Sequence, residues 1–347
     1  MHIGVRVGYA PVPESAWPVS PATRPYSIPH SIPRGCLEPR FAPDCLAVAL
    51  LGTFDLAGGA GEPVDYRRVL ASHGVARLAP LRVDVAGRVL ETTIGAGGTV
   101  RTIVMREASP GRVDVEVTGR APGDRARRGL LETARHILRL DEDLSDFYAL
   151  CASDETLSWV TTGAGRLIRS PSVFEDVVKT ICTTNCAWSA TVRMADALVR
   201  ELGDAAPGGR RAFPGPEAMA AAGTEFYREV ARAGYRGPYL LTLARDVADG
   251  RVDLEALADP ELPDAEVEKR LLALPGIGPY AAAHIMLISL GRYGRLVLDS
   301  WTRPTYAALC GRPTADRAIE HQFRRYGRYA GLAFWLRLTE NWLDRET

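Results

Sequence analysis

The chain has 347 residues, which is long for one domain and sufficient for two or three. Hydrophobic residues make up 46% of the chain, a fraction typical of a globular protein with a sizeable core. Its 42 basic and 42 acidic residues give zero net charge, which excludes a strongly basic nucleic-acid-binding protein but not a local basic patch.

The targeting and cysteine patterns indicate a cytoplasmic protein. No apolar run approaches the roughly 18 to 20 residues that a membrane span needs, and the first residues lack the pattern of a signal peptide. The six cysteines form neither a CxxC pair nor the four-ligand cluster that binds iron–sulfur: Cys36, Cys45, Cys151, Cys182, Cys186 and Cys310. We therefore expect reduced thiols, no iron–sulfur cluster and no membrane partner.

The first part of the chain divides into an arm and a β-rich unit. Residues 1–40 contain eight prolines and little apolar periodicity, which predicts an extended or disordered arm. Residues 41–125 contain short runs that predict strands separated by glycine and proline turns: CLAVALLGTF, TVRTIVMRE and RVDVEVTGR. We expect these runs to form one small antiparallel sheet.

The remaining residues, 126–347, have the periodicity of helices. Apolar residues recur at i, i+3 and i+4 in residues 127–140, 171–188, 189–202 and 226–235. Start signals include Pro216, followed by an acidic residue in the first turn. The predicted fold class is therefore α+β, a small antiparallel sheet domain followed by an all-α domain.

A tight turn between two helices is the most informative feature of the helical part. One helix is predicted to end at Leu274, and a second to begin at Pro279, where proline is well tolerated. Gly276 and Gly278 leave room for a sharp turn and a close approach to the backbone, and Ala281 begins a slim stretch of the second helix. Main-chain N–H groups at this helix start can bind a DNA phosphate or another anion. A purely structural helical corner is the alternative.

An aspartate follows this hairpin. After the second helix come an apolar run at 296–298, then Asp299, and then the polar start of another helix. Taken by itself, Asp299 is best interpreted as a helix N-cap.

Several segments in the right order resemble the helix-hairpin-helix DNA glycosylase superfamily. The hairpin and Asp299 are similar to its hairpin and catalytic aspartate, most closely in the branch that holds 8-oxoguanine and bacterial alkylpurine (3-methyladenine) DNA glycosylases. Residues 166–187 resemble its helix with a DNA-contacting loop, residues 234–239 its Gly-Tyr-Arg segment, and residues 329–335 its last core helix. The resemblance covers roughly 300 residues, counting the N-terminal sheet that this branch also has.

The resemblance implies roles for individual residues. Asp299 would be the catalytic carboxylate, and aromatic residues would line the pocket for a flipped base, with core packing as the alternative for each: Tyr280, Trp301, Phe334 and Trp335. The residues that contact DNA would include the loop and Gly-Tyr-Arg residues that wedge the duplex, and the hairpin residues: Asn185, Tyr235, Arg236, Gly276, Gly278 and Ala281. At Ala190 the family has an arginine, so we expect recognition of the opposite base to differ.

The resemblance also implies a monovalent cation, Na+ or K+, bound by the hairpin carbonyls of Leu272, Leu274 and Ile277, and no other cofactor. His284, one turn after Tyr280, is interpreted as a buried histidine in preference to a proton-transfer residue.

The implied function is excision of a damaged purine from double-stranded DNA, by a monomer associated with the nucleoid. Lyase members of the family use a lysine at the position of Tyr280, and the chain's two lysines, Lys179 and Lys269, lie elsewhere. We therefore expect a monofunctional glycosylase of the alkylpurine type, without strand cleavage. The alternatives are an 8-oxoguanine-type glycosylase and a non-catalytic DNA-binding protein that uses the hairpin.

Overall fold

A computed structural model describes residues 47–96 and 98–343, and its N-terminal part is a five-stranded antiparallel sheet. The predicted arm at residues 1–40 lies outside the described residues. In the spatial order β1-β5-β4-β3-β2, the strands are β1 (Val48–Asp55), β2 (Arg82–Asp84), β3 (Val89–Ala96), β4 (Thr99–Ser109) and β5 (Arg112–Thr118). The three predicted runs correspond to β1, β4 and β5.

One face of the sheet is covered by helix α2 (Asp124–Leu138), which follows the sheet in the chain. Along β5 every second residue is buried, because side chains of a strand alternate between its two faces. The buried residues of β5 and α2 belong to one hydrophobic core: Val113, Val115, Val117, Leu130, Ala134 and Ile137. The strands end at Thr118 and α2 begins at Asp124, and the division into domains near residue 125 stays a prediction.

Helices make up most of the remaining structure. The short α1 (Tyr66–Leu70) precedes β2, and the helices after α2 are α3 (Ser145–Ala152), α4 (Val173–Thr183), α5 (Trp188–Leu202), α6 (Pro216–Ala221), α7 (Gly223–Glu225), α8 (Arg236–Ala248), α9 (Asp264–Leu272), α10 (Pro279–Ile288), α11 (Thr302–Cys310), α12 (Asp316–Phe323) and α13 (Ala330–Thr339). The predicted α+β class is confirmed. Among the described residues, no helix is long and apolar enough to cross a membrane.

Some helix ends differ from the predictions, and left-handed backbone explains two of them. The helix predicted at 226–235 is a single π-helical turn, Phe226–Val230, because Arg232 and Gly234 have positive φ. The segment predicted at 171–188 ends as a helix at Thr183, two residues before Asn185, which also has positive φ. The helix before the hairpin ends at Leu272 instead of Leu274.

The helical part contains two hydrophobic cores, and helix α10 lies between them. On one side α10 contributes Ala282 and Ile285 to the core formed with α4, α5, α8 and α9. On the other side it contributes Ala283 and Leu287 to the core formed with α3, α11, α12 and α13. Tyr280, in the first turn of α10, packs against both cores, so it lies where the two halves of the helical part meet.

A buried arginine connects the sheet unit to helix α10. Arg139, directly after α2, is fully buried and donates hydrogen bonds to the carbonyl oxygens of Leu167 (2.6 Å) and Ile288. Its charge is balanced by Glu142, which also accepts a hydrogen bond from Tyr293. Because a buried charge is stable only when it is paired and hydrogen-bonded, this cluster holds the end of α10 against the sheet unit.

Candidate active site

Asp299 caps the start of helix α11. Its Oδ1 atom accepts hydrogen bonds from the main-chain N–H groups of Trp301 (2.8 Å) and Thr302 (2.7 Å). The N–H group of Asp299 donates in return to the Thr302 hydroxyl at 2.8 Å. The two interpretations of Asp299 are therefore compatible, because capping uses one carboxylate oxygen. The second, Oδ2, accepts no hydrogen bond from any described residue.

Two side chains of α10 lie close enough to Asp299 to respond to its charge. Burial raises the pKa of Tyr280 to about 12, and the negative charge of Asp299 adds to this rise. Burial lowers the pKa of His284 to about 4, and the same charge partly opposes that decrease. The hydroxyl of Tyr280 also lies 3.4 Å from that of Thr183, at the end of α4. Asp299, Tyr280 and His284 therefore form one site.

A continuous cluster of aromatic rings lines this site. The His284 ring lies 5.7 Å from the ring of Tyr280 and 6.5 Å from that of Trp335, measured between centroids. Trp335 in turn lies 5.6 Å from Trp301 and 6.0 Å from Trp342. Three of the four predicted pocket residues, Tyr280, Trp301 and Trp335, are thus brought together beside Asp299.

The fourth predicted pocket residue, Phe334, lies in the protein core. Its side chain is fully buried, and its ring packs against those of Tyr306 (5.7 Å) and Phe323 (5.2 Å). Adjacent residues of a helix point in different directions, so Trp335 faces the ring cluster while Phe334 faces α11 and α12. This placement favours a packing role for Phe334.

The hairpin turn presents a helix start without a side-chain cap. Gly278 is the N-cap of α10, and among the described residues no side chain accepts hydrogen bonds from the first N–H groups of this helix. A Cβ atom on Gly278 would meet no other atom within 4 Å, so the turn is open at this point. Such a helix start attracts anions. Ala281, by contrast, is only 1% exposed, a placement that favours packing.

Gly276 has a different role in the same turn. Its φ of +80° is a conformation that glycine adopts easily, and a Cβ atom there would lie 2.8 Å from the ring of Tyr239. Tyr239 is itself exposed, and its ring meets that of Tyr235 edge to face at 6.1 Å. The hairpin and the Gly-Tyr-Arg segment are therefore in direct contact through Tyr239.

The Gly-Tyr-Arg segment also supports the loop that contains Asn185. Asn185 is exposed, whereas Arg236 is buried and donates a hydrogen bond to the carbonyl oxygen of Thr184. The Arg236 guanidinium lies 4.5 Å from the centre of the exposed Tyr235 ring. Asn185 and Tyr235 are thus exposed residues of this region. Arg236 is buried, and it hydrogen-bonds the loop at Thr184.

Both lysine amines form ion pairs with glutamates. Lys179 is buried, and its Nζ atom contacts Glu175 at 2.6 Å and the hydroxyl of Ser170 at 3.2 Å. Lys269 is 78% exposed on α9 and pairs with Glu266 at 3.3 Å.

The hairpin carbonyls were predicted to bind a monovalent cation, and the cysteines were predicted to be reduced thiols. The carbonyl of Leu272 accepts no hydrogen bond from the described main chain, and that of Leu274 accepts a long one, 3.3 Å, from Ile277. Cys186 donates to the carbonyl of Cys182 at 3.2 Å, and both are free thiols. Within residues 47–96 and 98–343, no group of three or more His, Cys, Asp or Glu side chains could hold a metal ion.

Two residues of the site, His73 and Trp342, could not be found from the sequence. His73 meets His284 at 6.5 Å, although it belongs to the N-terminal part of the chain. Trp342 follows the last helix, and its contact with Trp301 at 5.6 Å depends on how the chain end folds back. For His284 a signal existed, because it lies one turn after Tyr280 on the same helix.

Comparison with solved structures places this geometry in a known fold. The chain superposes on a 3-methyladenine DNA glycosylase from Archaeoglobus fulgidus with a TM-score of 0.67 and 21% identity, covering 83% of this chain and 97% of that one. For an 8-oxoguanine glycosylase/lyase of Clostridium acetobutylicum bound to double-stranded DNA, the TM-score is 0.63 and the identity 18%, with 81% and 92% covered. The chain therefore has the fold of the helix-hairpin-helix DNA glycosylases, which confirms the fold that the resemblance in its sequence implied.

One relative found by sequence points to the same class. A protein of Bacillus subtilis (strain 168), named "Putative DNA-3-methyladenine glycosylase YfjP", is 23% identical over 175 residues, which are 49% of this chain. The match spans about 60% of the length of that relative. No family model matches the chain.

Proposed function

We propose that this protein is a monofunctional DNA glycosylase that removes alkylated purines from double-stranded DNA. The observation that carries the proposal is the second carboxylate oxygen of Asp299, which accepts no hydrogen bond from the described residues. It lies beside a cluster of aromatic rings and next to the start of the hairpin helix α10. The proposal includes that the protein acts as a monomer and that its substrate is the DNA of the nucleoid.

In the proposed mechanism the hairpin binds the DNA phosphate backbone while the damaged base leaves the duplex. A phosphate binds the main-chain N–H groups at the start of α10, which fixes the register without reading sequence. Flipping costs a few kcal/mol of lost stacking. Asn185 and Tyr235, the exposed residues of the supported loop, fill the gap that the base leaves.

Asp299 then assists cleavage of the bond between base and sugar. Positive charge develops on the deoxyribose as the base departs, and the carboxylate stabilises that charge and orients the attacking water. The hydrogen bonds from Trp301 and Thr302 hold the carboxylate in position.

The chemistry of the pocket supports an alkylated purine as substrate. Aromatic faces attract a cation, and a purine alkylated on a ring nitrogen carries a positive charge. Tyr280, Trp301 and Trp335 supply such faces. Burial keeps His284 neutral at pH 7, since its pKa is lowered to about 4, so the pocket contains no imidazolium to repel the base.

The positions of the lysines support hydrolysis without strand cleavage. A lyase forms a Schiff base between an amine and the sugar, and the helix position next to the hairpin holds the phenol of Tyr280. Lys179 is enclosed in an ion pair, and Lys269 is exposed on the far side of the turn.

We propose in addition that the hairpin binds Na+ or K+ through the carbonyl groups of Leu272, Leu274 and Ile277. Carbonyl groups at the end of a helix carry partial negative charge and lack partners within the helix. The carbonyl of Leu272, which accepts no hydrogen bond from the described main chain, and the weakly paired carbonyl of Leu274 fit this role. The cation would stiffen the turn and add positive charge close to the DNA phosphate.

Product analysis on duplexes that each contain one damaged base tests the proposed function. We expect release of free alkylated purine and an abasic strand that breaks only after alkali treatment. Strand breaks without alkali, together with a borohydride-trapped complex that a Lys269→Ala variant no longer forms, would indicate a lyase of the 8-oxoguanine type. Binding without base release from any duplex would indicate a non-catalytic DNA-binding protein.

A further inference from the structure

Two buried histidines meet at the inner end of the ring cluster. His73 lies just before the 3-10 turn Gly74–Arg77 of the N-terminal part, and His284 lies on α10. Their rings pack edge to face with centroids 6.5 Å apart, and the two residues are only 3% and 4% exposed. The site is thus built from both parts of the chain.

A hydrogen bond determines which nitrogen of His73 carries the proton. Its Nε2 atom lies 2.6 Å from the carbonyl oxygen of Ile168. A carbonyl oxygen only accepts hydrogen bonds, so Nε2 must be the donor, and Nδ1 of the neutral ring is an acceptor. This Nδ1 atom is buried and has no hydrogen-bond partner among the described residues, and neither has Nδ1 of His284.

Burial keeps both rings uncharged, so the acceptor on His73 persists at neutral pH. Burial lowers the pKa of His73 to about 3, and the positive charges of Arg139 and Lys179 act in the same direction. The pKa of His284 is lowered to about 4 for the same main reason.

The residue before His73 also contacts the aromatic rings of the proposed base pocket. Trp335 donates a hydrogen bond from Nε1 to the carbonyl oxygen of Ser72 at 2.9 Å, so the residue before His73 is tied to a ring of the cluster. His284 contacts both Trp335 and Tyr280. The unpaired nitrogens of the two histidines therefore belong to rings at one end of the cluster that is proposed to bind the base.

The geometry points to His73 as the residue that determines which purine is excised: its Nδ1 atom accepts a hydrogen bond from the exocyclic amine of a 6-amino purine. This inference rests on the proposed function. A 6-oxo purine places an oxygen at the same position, so two acceptors would face each other in a buried site. Sites built around a hydrogen bond reject analogues that cannot form it. The predicted substrates are alkylated adenines in preference to alkylated guanines.

Methylated DNA that contains both 3-methyladenine and 3-methylguanine tests this inference. The two released bases are quantified by chromatography under single-turnover conditions. We expect the wild-type protein to release 3-methyladenine at least on the order of tenfold faster. His73→Phe should bring this ratio close to one, and His73→Gln, which keeps a donor for Ile168 and an acceptor oxygen, should largely retain it. His321→Phe, at an exposed position of α12, is the control and should keep the ratio.

The outcomes separate this inference from the proposed function. If the wild-type protein releases both bases at equal rates, or if folded His73→Phe keeps the wild-type ratio, the histidines are structural and the inference is wrong, while the proposed function stands. If the wild-type protein releases neither base nor any other alkylated purine, both the proposed function and the inference fail. The wild-type ratio requires no variant, so a misfolded His73→Phe protein does not prevent a decision.

Discussion

Asp299 and Thr302 hydrogen-bond each other twice: the N–H of Thr302 donates to the Asp299 carboxylate, and the N–H of Asp299 donates to the Thr302 hydroxyl. This reciprocal cap occupies Oδ1 and holds the carboxylate at the start of α11. The same interactions therefore stabilise a helix and position the proposed catalytic group.

The first prediction concerns this cap. Thr302→Val removes the hydroxyl that Asp299 uses and should lower the free energy of unfolding by about 1 kcal/mol, as expected for a lost cap interaction. Because Asp299 also becomes more mobile, the excision rate should fall more than DNA affinity does. Thr302→Ser keeps the hydroxyl and is the matched control, for which denaturant unfolding and single-turnover rates should both stay near wild type. Equal rates for the Val and Ser variants would contradict the positioning role.

The second prediction concerns the phosphate site at Gly278. Gly278→Asp fits the open turn and supplies a side-chain cap for α10, so stability should be retained. Its carboxylate would compete with a DNA phosphate and weaken binding by about 1 kcal/mol, equally for damaged and undamaged duplexes. Gly278→Asn is the neutral control. Fluorescence anisotropy at several salt concentrations measures the effect, and a loss confined to damaged DNA would argue against a phosphate contact.

The third prediction concerns the loop that fills the gap in the duplex. Asn185→Gly removes the side chain while accepting the local φ of +44°, so the loop itself should be preserved. We expect excision to fall more than binding, and a fluorescent base opposite the lesion should no longer report flipping. Tyr235→Ala should behave in the same way, and Tyr235→Phe should stay close to wild type. A proportional loss of binding and excision would indicate a simple contact surface.

The fourth prediction concerns stability at acidic pH. His73 and His284 have pKa values lowered to about 3 and 4 in the folded protein, whereas an unfolded histidine titrates near 6.5. Below pH 6.5 the unfolded chain therefore binds more protons than the folded one. Stability should fall as the pH decreases toward 4, at up to about 1.4 kcal/mol per pH unit for each histidine.

Urea unfolding between pH 7 and 4.5 measures this dependence. His284→Phe should make the decrease shallower, while His321→Phe, at an exposed position of α12, should leave it unchanged. The same slope in all three proteins would show that the buried histidine does not contribute.

Local signals made much of this site predictable from the sequence. Asp299 follows the hairpin within one short segment, and Gly276, Gly278 and Pro279 mark the turn by their own backbone preferences. The strands β1, β4 and β5 were predictable from their β-branched residues and glycine turns. For these features, the residues that form the structure are close together in the chain.

Contacts between residues that are far apart in the chain could not be predicted from the sequence. His73 and His284 are far apart in the chain, and they meet where Arg139 and the ring cluster join the sheet unit to α10. Phe334 and Trp335 are adjacent aromatic residues, and only the folded arrangement separates the core residue from the pocket residue. Arg236 was predicted to contact DNA, a role that remains a prediction. It is buried against Thr184, which directly precedes the left-handed Asn185.

The most direct test of the proposed function is the single-turnover excision rate of Asp299→Asn on a damaged duplex that the wild-type protein processes. Asparagine is also a good helix cap, so the melting temperature and DNA affinity should stay close to wild type. Loss of the charge that stabilises the transition state should lower the rate by about 10²-fold or more. Excision at the wild-type rate by this variant would contradict the catalytic role of Asp299.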